Sequence, residues 1–88
     1  MPIVSQFYGI IISMYFNDTD RHHLPHIHVQ YAEYRCSIDL DGNILSGTIP
    51  NKQKKLVFAW IELRKEELIT LWNMLQSGNG AFTIEPLK

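Results

Sequence analysis

The stretch His26-Ile27-His28-Val29-Gln30-Tyr31-Ala32-Glu33-Tyr34-Arg35-Cys36-Ser37-Ile38-Asp39-Leu40 decides the fold. Its first half alternates: Ile27, Val29 and Tyr31 point one way, His26, His28 and Gln30 the other. Its second half alternates too, with Tyr34, Cys36, Ile38 and Leu40 set against Arg35, Ser37 and Asp39. A period of two is the signature of a strand with one buried face. Two such strands separated by Ala32-Glu33 predict an antiparallel hairpin.

Working outward, Asp41-Gly42-Asn43 supplies the next turn, since Gly accepts the positive φ of a tight hairpin, and Ile44 to Ile49 forms the following strand. Upstream, Phe7 to Phe16 is aromatic and β-branched and reads as one strand, apolar on both faces and therefore central. Asn17 to Pro25 is polar and reads as a loop. Beyond Pro50-Asn51 the period changes. Val57, Trp60, Ile61, Leu68, Leu71, Trp72 and Leu75 recur at helical spacing from Lys52 to Gln76. Arg64 falls in the gap of that stripe, so the helix is either continuous with a snorkelling Arg64 or broken near Arg64-Lys65. Ser77-Gly78-Asn79-Gly80 ends it, and Ala81 to Leu87 adds a short edge strand before Pro86 stops pairing. The expected architecture is α+β: a four-stranded antiparallel meander, one long C-terminal helix and a short terminal strand, in a single domain over residues 1–88.

Composition sets the limits. With 88 residues, 45% hydrophobic and 19% charged, the chain suits one core and is not disordered. A formal charge of −1 gives no bulk attraction to nucleic acid or acidic membranes. One cysteine, Cys36, excludes an intrachain disulfide and a Cys-rich zinc site. Its alternation with Tyr34 and Ile38 makes it a buried, inert thiol. Met1-Pro2-Ile3-Val4 lacks a basic leader pattern, and Ile10-Ile11-Ile12 falls well short of the roughly 20 apolar residues of a membrane span. A cytoplasmic protein without membrane contact is expected.

The chemistry concentrates in Arg21-His22-His23-Leu24-Pro25-His26-Ile27-His28, which holds all four histidines. Strand periodicity puts His26 and His28 on one face, opposite Ile27 and Val29, at a surface or cleft. Three readings compete. His26 and His28 are a two-ligand clamp for a divalent metal such as zinc, completed by His22 or His23, with Asp18, Asp20 and Glu33 as further candidates. Or they are a general acid and base, with Arg21 and Arg35 stabilising a phosphoryl transition state and Tyr31 or Tyr15 donating a hydrogen bond, a set suited to RNA cleavage through the 2′-hydroxyl. Or they are structural, bonded to neighbouring carbonyls and packed on aromatics, and no cofactor is involved. Lys52, Lys54 and Lys55 form a small basic cluster that either meets a phosphate-rich partner or is a solvated helix face. Trp60 and Trp72 lie on the apolar stripe and read as core.

Pro25-His26-Ile27-His28 followed by Tyr31-Ala32-Glu33-Tyr34 resembles the Pro-His-Phe-His and Tyr-Gly-Glu-Tyr signature of a bacterial family, domain of unknown function 4160. The likeness extends to Phe7-Tyr8-Gly9-Ile10, Met14-Tyr15-Phe16-Asn17-Asp18, Gly47-Thr48-Ile49-Pro50, Trp60, Glu67-Leu68, Trp72 and Ile84-Glu85-Pro86-Leu87. Two positions depart from it: Ala32 stands where glycine is usual, and Arg64 where histidine is frequent. The resemblance implies a bacterial cytosolic protein, often encoded beside a second small protein in an arrangement like a toxin–antitoxin pair. It supplies no catalytic residue. The leading expectation is a subunit of such a pair, acting by protein–protein contact, with RNA-directed activity at the histidine face. The alternatives are a non-catalytic metal-binding module and a homodimer, in which a second copy covers an exposed edge at the terminal segment or the spare apolar face of Phe7–Phe16.

Overall fold

The computed structural model describes residues 3–15, 24–78, 80 and 82–87. Five strands form one antiparallel sheet in sequence order: β1 (Ile3–Phe7), β2 (Ile10–Ser13), β3 (His26–Tyr31), β4 (Tyr34–Asp39) and β5 (Ile44–Thr48). One helix, α1 (Asn51–Ser77), follows. The hairpin of β3 and β4 forms as the alternation predicts, with Tyr31 opposite Tyr34.

The strand count is five rather than four because the expected Phe7–Phe16 strand is split. Tyr8 and Gly9 turn the chain with φ of 50° and 78°, and β1 pairs back onto β2. Tyrosine is a strand former that rarely enters the left-handed region, so the turn has no Asn-Gly or Asp-Gly signal. β2 lies between β1 and β3, with Ile10 and Ile12 in the core and Ile11 on the opposite face.

The turn between β4 and β5 is tied by one carboxylate. Asp39 Oδ1 accepts the backbone N–H groups of Asp41 at 3.0 Å and Asn43 at 2.8 Å, and Oδ2 accepts from Asn43 Nδ2 at 3.1 Å. Burial pushes the Asp39 carboxyl up, but the hydrogen bonds from Asn43, Asp41 and Gly42 outweigh it and hold the carboxyl below its ordinary value. A bulge follows in β5 at Leu45, between the Ser37–Ser46 and Ile38–Ile44 pairs, and two residues on Gly47 takes φ 72°, where a Cβ would run into the Arg35 carbonyl oxygen. Only glycine fits there.

The register assigns the faces. Ile10, Ile12, Ile27, Val29 and Ile38 share one side and are buried against Val57, Trp60, Ile61, Leu68, Leu71 and Leu75 of α1. Trp60 is fully buried, its ring 5.4 Å from Phe7 and its Nε1 donating to the Glu85 carbonyl at 2.8 Å. Burying such a side chain is worth about 1.5–3 kcal/mol. The helix breaks where the stripe is interrupted: Arg64 has φ −117° and ψ 17°. A straight 27-residue helix would run about 40 Å, against 34 Å for the long axis of the molecule, so the kink keeps both halves on the sheet. Lys65 Nζ bonds Asp41 Oδ1 at 2.8 Å just past the kink, and Gly78 closes the helix at φ 76°.

The expected terminal strand does not form among the described residues of 80–87, but the Ile84 N–H donates to the Val4 carbonyl at 2.9 Å and covers the edge of β1. No helix among the described residues is long and apolar enough to cross a membrane.

Candidate functional site

The side of the sheet turned away from the Ile12–Val29 face carries polar residues in rows. Ser13, His28, Ser37 and Ser46 stand opposite one another across β2 to β5. The next row is Ile11, Gln30, Arg35 and Thr48. All of these except Thr48 line a hollow of about 210 Å³. Tyr15 closes one end, its ring in an edge contact with His28 at 4.4 Å. His28 Nδ1 and Ser37 Oγ are 3.3 Å apart, His28 is half-buried, and Ser13 and Ser37 are buried. Arg35 is exposed at the rim.

His26 and His28 do share a side of β3, with rings 5.1 Å apart, and Ile27 and Val29 are buried as expected. His26 itself is not at a surface: it is 1% exposed. Its ring packs on Trp72 at 5.1 Å, and Nδ1 lies 2.7 Å from the Leu24 carbonyl. A carbonyl only accepts, so Nδ1 carries the proton and donates. The Trp72 contact holds the start of β3 to the second half of α1, and the bond to Leu24 fixes the ring against the strand's own lead-in.

The other expected site residues separate. Tyr31 faces the core, packed beside Ile10, so the ring beside His28 is Tyr15. Arg35 joins His28 at the hollow. Arg21, His22, His23, Asp18 and Asp20 lie outside the described residues. Among the described residues no group of three His, Cys, Asp or Glu side chains could hold a metal ion. Cys36 is buried, and burial pushes its thiol up while Lys54 partly offsets this, so it is a poor nucleophile.

The serines were missed by sequence reasoning. Ser13 is one polar residue in an apolar strand and Ser37 and Ser46 are small polar residues among others, and only the register aligns them. Their chemistry is that of binding. Ser37 sits mid-strand, where backbone N–H groups belong to the ladder and none converges as an oxyanion hole. Hydroxyls, an imidazole, a phenol ring and one guanidinium suit a polar or anionic group held against an aromatic wall.

The chain matches the family described as Domain of unknown function (DUF4160) over residues 9–73. It belongs to that family. The part shared with DUF4160 runs from the Tyr8–Gly9 turn through most of α1 and contains every residue of the hollow. β1 and the 82–87 segment that covers its edge lie outside the matched part of this DUF4160 chain. Comparison with curated proteins gave no match, and comparison with solved structures gave none.

Proposed function

We propose that the protein is a binding subunit of a two-protein pair of the toxin–antitoxin kind, and that it docks the second protein on the polar face around His28. The family resemblance supplies the idea of a pair; the observation that supports this face is the Ser13–His28–Ser37–Ser46 row with its hollow of about 210 Å³. A hollow of that size takes one protruding side chain rather than a long ligand, and Arg35 at its rim favours an acidic or carboxamide group.

Binding is better supported than RNA cleavage at the same face. Two-histidine catalysis needs both imidazoles at one substrate, and His26 is buried and bonded to Leu24. The test is co-expression with the protein of the neighbouring gene, followed by affinity measurement on Arg35→Glu and Ser46→Arg. Each should weaken the complex by about 5–30-fold, the effect of losing an anchoring interface contact worth about 1–2 kcal/mol. Unchanged affinity in both variants refutes this face as the contact, and self-association of the chain alone would assign it to a homodimer.

A further inference from the structure

Exposed tyrosines and lysines meet at one end of the sheet. The row Phe7, Ile10, Tyr31 and Tyr34 runs straight across β1 to β4, so the Tyr8–Gly9 and Ala32–Glu33 turns lie at the same end. The ring of Tyr31 packs against Gly9, where a Cβ would be 3.4 Å from it. α1 starts at this end too: Thr48 pairs with Arg35, the neighbour of Tyr34, and Lys52 follows one turn later. Lys52 and Lys55 are exposed and, three apart in a helix, share a face. Among the described residues neither is in an ion pair. The first turn of α1 holds no acid, and Glu33 is the one carboxylate in the two turns.

Tyr8 is the unusual member. It is 60% exposed and sits at φ 50°, where a side chain costs about 1–2 kcal/mol, yet its ring contact in the fold is one edge approach to Phe7 at 6.5 Å. Asparagine or glycine would make the same turn without that cost. Such strain at an exposed ring is a reason to look for a contact made outside the fold. Tyr34 adds a second ring, 38% exposed.

We infer that this end of the domain binds a single-stranded nucleic acid, with Lys52 and Lys55 on phosphates and Tyr8 and Tyr34 under the bases. Cations alone would suit any polyanion; rings beside cations select a strand whose bases are unstacked, which a duplex or an acidic peptide does not offer. Strands about 4.8 Å apart put the Tyr8 turn roughly 15–19 Å from β5, a reach for the short end of the 4–16-nucleotide range. This surface is distinct from the hollow at His28, so its success or failure is independent of the partner contact proposed there.

The experiment is fluorescence anisotropy of the whole protein with a labelled oligouridylate of about twelve nucleotides. Binding should weaken with salt at a log–log slope of about −1.4 to −2.1, for two or three phosphates. Tyr8→Ala and Tyr34→Ala should each weaken it by about 5–150-fold, and Lys52→Glu with Lys55→Glu should abolish it. Tyr8→Asn, which suits the turn, keeps the test valid if alanine perturbs the fold. Equal affinity for a duplex of the same length, no binding at about 50 mM salt, or full affinity in the tyrosine variants overturns the inference.

Discussion

Replacing His26 by glutamine should cost far more stability than replacing His28. The His26 ring makes a 2.7 Å bond to the Leu24 carbonyl and a 5.1 Å contact with Trp72, at 1% exposure. Glutamine keeps a donor but not the rigid ring that aims it. A net hydrogen bond of about 1 kcal/mol is degraded. A ring contact of about 0.5–1.5 kcal/mol is lost as well. The sum, about 2 kcal/mol, lowers the melting temperature of a domain this size by about 8–16 °C. His28 has a longer 3.3 Å approach to Ser37 and is half-buried beside Tyr15, so His28→Gln should cost about 0.5–1 kcal/mol, or about 2–8 °C. Both variants are read by thermal unfolding followed by circular dichroism. A His28 variant that melts at or below the His26 variant would refute the assignment of His26 as an anchor and His28 as a surface group.

Ala32 occupies φ 52° in the β3–β4 turn, so Ala32→Gly should raise stability by about 0.5–1 kcal/mol in the same melts; a fall would mean that the turn is not left-handed there. The Asp39 carboxyl is held below its ordinary value of 3.8, so its contribution is fully present above that value and is lost as pH falls through the lower folded value. Asp39→Ala should lose about 1–3 kcal/mol at neutral pH and show a shallower decline in urea stability below pH 3.8, while an unaltered acid limb would exclude this group as its source.

The hairpin of β3 and β4 was legible because its period of two is uninterrupted, and α1 because its apolar stripe recurs on both sides of Arg64; the gap there left a continuous and a broken helix open, and the structure shows the kink. The Tyr8–Gly9 turn was not legible, because tyrosine at positive φ trades a local preference for something outside the local chain. Parity placed His26 and His28 together but could not show that Trp72, dozens of residues later, covers one and not the other. The serine row depended on register across β2 to β5, which a bulge at β5 helps to set. Tyr31 is a different case: its parity already put it on the face away from His28, and the ring beside His28 is Tyr15, two residues past the end of β2.

The bond from Ile84 to Val4 makes the chain between them an almost closed ring, latched at one edge of the sheet. Force applied at Val4 and Ile84 would load that latch first, and β1 would then peel from β2 one hydrogen bond at a time rather than shear all its bonds together. Once open, the strand would present an unpaired ladder to any neighbour. The segment that looks like a spare end of the sequence is thus a guard, keeping this edge from recruiting other chains.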